Sequence, residues 1–200
     1  MKKLVFKLLL LCIGVFFMTV SASAQTKEDM IRRRAAQKVG QMGDYIDFMA
    51  DKRNNIDTRA YYRLMALNLF VNKGNAYEED GRMKEGVMME VTSLNKDTTK
   101  HTLIREYFTN LINLKYQKVV INTTDVADIR VSSLQRIGEN EYVCTCYFEQ
   151  AFCGYRDGKP IYKDITRKKI KCYILVEQTE DGEEFIVMLG DVTALETIKG

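Results

Sequence analysis

The chain has 200 residues, a single proline, no tryptophan, five cysteines, 46% hydrophobic residues and a formal net charge of +3. The basic excess belongs to the N-terminal lysines Lys2, Lys3 and Lys7; the chain that follows is neutral and gives no electrostatic footprint for nucleic acid. One histidine, His101, excludes metal sites built on paired histidines and argues against Ser-His or Cys-His catalysis; no phosphate loop, dinucleotide fingerprint, G-x-S-x-G or H-E-x-x-H motif is present.

Residues 1–24 read as a Sec signal peptide. The three lysines form its basic start, residues 4–20 its apolar run, and Ala22-Ser23-Ala24 a small-x-small cleavage site before Gln25. An uncleaved anchor is the alternative, although the run is short for a span. Leu9-Leu10-Leu11 ahead of Cys12 lacks the small residue of a lipid-attachment motif. The expectation is export through Sec to the periplasm or the extracellular space, with no membrane span once the leader is removed. Residues 25–200 have no Gly/Ser-rich linker and no repeat, and form one domain of ordinary length.

Thr26 caps a first helix, with Asp29 three residues on as a capping box. Ile31, Ala35, Val39, Met42, Ile46 and Met49 follow at spacings of four and three, an apolar stripe that ends near residue 51. Asn54-Asn55 turns, and Asp57 or Thr58 caps a second helix. Tyr61, Leu64, Met65, Leu67, Leu69, Phe70 and Val71 make it apolar around most of its girth, so it is expected to be the more buried of the two. Lys73-Gly74 is its stop signal.

Residues 75–84 read as a polar loop, 86–94 as a short strand and 95–99 as a turn and cap. Leu103, Ile104, Tyr107, Phe108, Leu111 and Leu114 mark a third helix, with His101 in its first turn. Residues 117–122 and 128–134 are strands around a bend at 123–127. Gly138-Glu139-Asn140 turns into a long hairpin over 141–177. Glu180-Asp181-Gly182 turns again, and 184–195 is the last strand. Helices followed by strands predict an α+β domain with the helices on one sheet face.

This order, α-α-β-α and then four strands over residues 25–196, resembles the cone-shaped domains of the nuclear transport factor 2-like superfamily, which includes polyketide cyclase-like and ketosteroid isomerase-like proteins. The resemblance implies three helices packed on a curved antiparallel sheet of four to six strands, with a long C-terminal hairpin and an apolar pocket at the open end of the cone. The superfamily holds isomerases, dehydratases and non-enzymatic binding modules, so the fold alone does not name an activity. Its enzymes rely on an Asp, His or Tyr in the pocket. Tyr61, Tyr107 and Asp125 are of the right type, but no spacing singles one out, and no catalytic residue is assigned.

The hairpin carries the strongest strand signal. Tyr142, Cys144, Cys146, Phe148 and Phe152 share one face; so do Ile170, Cys172, Ile174 and Val176, with Arg167, Lys169 and Lys171 opposite. A two-residue turn at Asp157-Gly158 sets the apolar row against the basic one. A shift of one residue aligns the apolar faces, so a three-residue loop with Gly158 left-handed and bulged is expected. In that register Cys144 faces Cys172, Gln150 faces Thr166 and Glu149 faces Arg167. Cys144, Cys146 and Cys172 read first as small buried hydrophobes, then as holding a Cys144–Cys172 disulfide in an oxidising compartment, and last as a zinc or redox site. Cys153 lies on the other face.

Glu149, Gln150, Tyr162 and Asp164 interrupt the apolar rows, and read either as ordinary exposed sheet polarity or as a polar patch on the concave face. Ligand or partner binding is assigned to Glu149, Tyr155, Arg156, Tyr162 and Arg167, since Tyr and Arg are favoured as interface anchors. The function expected is an exported non-enzymatic domain that binds a protein partner or a small apolar ligand, without cofactor or metal. A small pocket enzyme of the isomerase or dehydratase type, using a lone carboxylate or tyrosine, is the alternative, and a homodimer through sheet packing is a third. A deep pocket with a buried carboxylate of raised pKa marks the enzyme.

Overall fold

Thr26 opens helix α1 (Lys27–Ala50) as expected: its side chain accepts from Asp29 N at 3.1 Å and Asp29 caps back, completing the box. The computed structural model describes residues 26–94 and 96–200, with backbone only at 96 and 97. The leader lies outside the described residues. The α1 stripe is fully buried, from Ile31 through Met49. Gly43 lets the helix approach the sheet: a Cβ there would sit 2.7 Å from Thr123 Cβ.

Helix α2 (Ile56–Leu67) is capped by Asn55, whose Oδ1 accepts from Thr58 N at 2.7 Å, not by Asp57 or Thr58. It is also the less buried helix, contrary to expectation. Only Ala66 and Leu67 are buried in it, and Tyr61 and Leu64 are more than half exposed. The reason is position: α1 and α3 (Ile104–Ile112) both pack on the sheet, whereas α2 packs on α1 and α3. Leu69 and Phe70, read as helical, follow its end and are buried.

Two further segments differ from the sequence reading. Residues 75–84 contain a hairpin, β1 (Tyr77–Glu79) and β2 (Arg82–Lys84), turning at Asp80-Gly81 with φ of 51° and 72°. Its polar flanks hid it. Glu79 accepts from Lys171 Nζ at 2.6 Å and from the Tyr173 hydroxyl, which pins the hairpin to the outer sheet face. Residues 96–103 form strand β4 (Lys96–Leu103), so 96–99 are not a turn and cap; the strand pairs antiparallel with β3 (Met88–Ser93), Thr102 opposite Met89 and Lys96 opposite Ser93. His101 therefore lies in a strand opposite Glu90, and is exposed.

Strands β5 (Lys118–Thr123), β6 (Arg130–Val131) and β7 (Gln135–Arg136) all lie along one edge of β8 (Glu141–Arg156). Then come β9 (Lys159–Thr179) and β10 (Gly182–Lys199). The sheet has eight strands in the order β4-β3-β10-β9-β8, with β5, β6 and β7 beyond β8. It is larger than expected and mixed: β10 runs parallel to β3 at Val192 and Met89. Bulges after Leu189 and Ala194 in β10 bend it around the helices. The architecture implied by the resemblance is therefore present, α+β with three helices on a curved sheet. Among the described residues no helix is long and apolar enough to cross a membrane.

The β8–β9 register is the expected one, with Cys144 opposite Cys172 and Glu149 opposite Arg167, but it arises differently. The turn has two residues, Asp157 and Gly158, with φ of 50° and 72°, as a twisted hairpin turn requires. The extra residue is Ile161: Tyr155 pairs with Pro160 and Gly154 with Tyr162. The bulge sits on the second strand, not at Gly158.

Candidate functional site

The inward face of β9 changes character along its length. From Ile170 through Cys172 and Ile174 to Val176 it is apolar and packs into the core with α1. From Lys168 back through Thr166 to Asp164 it is polar, and equally buried, each about 5% exposed. Gln150, opposite Thr166 on β8, continues this polar end and is also buried. Burial of polar groups is costly unless each finds a partner, and these do: Lys168 bonds Gln150, Thr166 lies 3.0 Å from Thr197 Oγ1, and Asp164 accepts from Tyr162.

A cavity of about 800 Å³ opens above these residues. Tyr107, Leu111 and Leu114 of the α3 region form one wall, Ile121, Phe152 and Tyr116 another. Residues of β3 and β4, including Val91, Ser93 and Thr102, close the third side. The site is thus apolar on two sides, hydroxyl-bearing on the β3 and β4 side, and polar on its sheet floor.

Lys168 is the central group of that floor. Its Nζ donates to Gln150 Oε1 at 3.0 Å and lies 3.8 Å from Met89 Sδ, and 5.9 Å from the centre of the Tyr107 ring. Among the described residues no carboxylate forms an ion pair with it, and burial pushes its pKa down to about 8. Burial also pushes the Tyr107 phenol up to about 12. Asp164, further along the strand, accepts a hydrogen bond from the Tyr162 hydroxyl. That hydroxyl also lies 2.9 Å from Ser93 Oγ and accepts from Leu94 N at 3.1 Å. Burial raises the Asp164 carboxyl above its ordinary value, against the lowering effect of Tyr162.

The residues assigned from sequence do not meet in one place. Tyr162 lines the cavity. Glu149 and Arg167 lie on the outer face, where Arg167 bridges Glu149 and Glu196 at 2.9 Å each and all three are about half exposed. Tyr155 and Arg156 stand at the hairpin tip, and Lys118 Nζ lies 5.1 Å from the centre of the Tyr155 ring. Of the acids and tyrosines considered, Tyr107 lines the cavity, while Tyr61 and Asp125 are exposed. Lys168 and Thr166 were missed. The signal for them was the period-2 alternation itself, since counting back from Ile170 by twos reaches Lys168, Thr166 and Asp164.

Cys144, Cys146 and Cys172 form a buried cluster, their sulfurs all within 4.8 Å of one another. The four described cysteines are unbridged in this structure, and the Cys172 thiol approaches Cys146 Sγ at 3.7 Å. Hydrogen bonding within the cluster and burial hold the Cys146 and Cys172 thiols well above their ordinary values. The cluster sits in the apolar core, away from the cavity lining.

No family model matches the chain, and no curated protein matches it. Several solved structures do. A protein provisionally assigned as a scytalone dehydratase from Novosphingobium aromaticivorans has 10% identity and a TM-score of 0.44, with 86% of this chain and 90% of that one covered. The Kfla4162 protein of Kribbella flavida has 12% identity and a TM-score of 0.37, over 83% and 92% of the two chains. A type 2 hexachlorocyclohexane dehydrochlorinase has 10% identity and a TM-score of 0.36, over 86% and 93%. The functional reading below rests on the site's own residues.

Proposed function

We propose that this is an exported domain whose cavity binds a small, largely apolar ligand with a polar group at one end. The observation that carries this is the floor of the cavity, where Lys168, Gln150, Thr166 and Asp164 are buried yet open to a space of about 800 Å³ with apolar side chains on two of its sides. Few precisely placed polar groups in an apolar enclosure are what small-molecule recognition needs. Export rests on the leader at residues 1–24. A titration with the neutral apolar fluorophore N-phenyl-1-naphthylamine tests the reading. Saturable binding of one probe per chain is expected, abolished by Leu114→Trp, which fills the cavity, and unchanged by Tyr61→Ala on the exposed side of α2. Absence of saturation, or binding indifferent to Leu114→Trp, overturns it.

A second reading is favoured by Asp164. A buried carboxylate of raised pKa, held by the Tyr162 hydroxyl on a cavity wall, is suited to take a proton from a bound carbon acid. The domain is then an enzyme of the isomerase or dehydratase type. With 2-indanone as the probe ketone, this reading predicts catalysed deuterium uptake beside the carbonyl from D2O, lost in Asp164→Asn while fluorophore binding persists. Equal uptake in wild type and variant removes it.

A further inference from the structure

We infer that Lys168 is a nucleophilic amine that forms an imine with an aldehyde or ketone group of the bound ligand. The inference rests on the ligand-binding reading of the cavity and names the chemical class that the cavity floor selects. Three observations carry it. Lys168 lines the cavity and is about 5% exposed, so its amine meets a ligand rather than bulk water. Its oxygen partner is the neutral amide Oε1 of Gln150 at 3.0 Å; among the described residues no carboxylate is in an ion pair with it, and the charge of Asp164, further along the strand, opposes the effect of burial without cancelling it. Aromatic and aliphatic side chains of two walls flank the approach, facing the hydroxyl-bearing strands β3 and β4, and so suit a carbonyl compound with an apolar body.

The free amine is the reactive form, and the site supplies it. With a pKa of about 8, roughly half of Lys168 is uncharged at pH 8, against about 0.3% of a lysine at the ordinary 10.5. The nitrogen lone pair adds to the carbonyl carbon and the oxygen takes a proton. The resulting carbinolamine loses water, carrying off the carbonyl oxygen and both hydrogens of the amine. A C=N bond replaces C=O, and no oxidant or reductant is consumed.

The surroundings also suit the product. The imine nitrogen, left without hydrogen, gains one N–H when it takes up a proton from solvent, and Gln150 Oε1 is placed to accept that hydrogen bond. The face of Tyr107, 5.9 Å from Nζ, offers the same positive charge a favourable quadrupole.

Reductive trapping tests this. The protein is incubated at pH 8 with 2-naphthaldehyde, an apolar aldehyde sized for the cavity, and sodium cyanoborohydride, and adducts are located by peptide mass spectrometry. Lys168 is expected to be alkylated at least tenfold faster than any other lysine, and N-phenyl-1-naphthylamine at saturation is expected to slow that reaction in the wild-type protein. Lys168→Arg, which retains a cation, is expected to lose the fast adduct while its melting curve stays cooperative. The competition arm needs no variant, so it decides even if Lys168→Arg fails to fold. Fluorophore binding with Lys168 labelled no faster than exposed lysines overturns the imine and leaves the cavity reading intact. Lack of any fluorophore binding overturns both.

Discussion

The two halves of the inward face of β9 are buried to nearly the same degree and have opposite chemistry. Ile170, Cys172, Ile174 and Val176 range from 0% to 2% exposed, and Asp164, Thr166 and Lys168 are each about 5% exposed. The first half is filled against by α1 and contributes the core. The second faces a cavity and contributes desolvated polar groups. Burial alone therefore does not say what a strand is for; the kind of group buried does. Sequence rules that hold along the core half fail along the cavity half, which is where a functional site is expected to break them.

The comparison is sharpened by substituting both halves. Ile170→Ala, in the core half, should lower stability by about 2–5 kcal/mol through lost transfer energy and the void left behind. Lys168→Met, two residues away, should raise stability at pH 7. The shift from 10.5 to about 8 corresponds to at most about 3 kcal/mol against the folded state, some of it offset when Gln150 loses its donor. The sign follows from proton binding. Between pH 8 and 10.5 the unfolded chain holds more protons at Lys168 than the folded one, so wild-type stability gains with pH across that window and the variant lacks the gain. The two should converge near pH 10.5 in urea unfolding curves.

Smaller effects follow in order. Asp164→Asn should raise the unfolding midpoint at pH 7 by less than Lys168→Met does, because the carboxyl is raised by burial and Asn still accepts from Tyr162. Its advantage should vanish at pH values low enough to protonate the carboxyl in both states. Arg167→Ala removes two exposed ion pairs on the outer face and should leave thermal unfolding indistinguishable from wild type. A large loss there would mean that these ion pairs stabilise the sheet more than exposed pairs ordinarily do.

Much of the fold was legible because local chemistry and the final structure agree. Thr26 and Asp29 cap α1 as their spacing requires, and the apolar rows of β8 and β9 set the register that puts Cys144 opposite Cys172. The errors arose where tertiary context outweighed local pattern. Tyr61 and Leu64 look like core residues, yet α2 packs outside the sheet and leaves them exposed. Asp80-Gly81 is a hairpin signal whose strands are polar because they grip Lys171, Tyr173 and Asp191 through Glu79 and Lys84. The candidate site was half legible. Gln150, Tyr162 and Asp164 stood out as interruptions of apolar rows, but Lys168 was hidden among Arg167, Lys169 and Lys171, whose charges do face outward. A run of basic residues in a strand alternates like any other, and every second member points inward.

The ionisation of Lys168 tests the contrast between the two halves most directly. Lysine labelled with ¹³C at Cε can be titrated by NMR in the free protein and again with N-phenyl-1-naphthylamine bound, and the signal is assigned with Lys168→Arg. One resonance should titrate near pH 8 in the free protein and shift when the cavity fills. A Lys168 resonance that titrates at the ordinary value of 10.5 and ignores the probe would contradict a desolvated amine open to a ligand cavity.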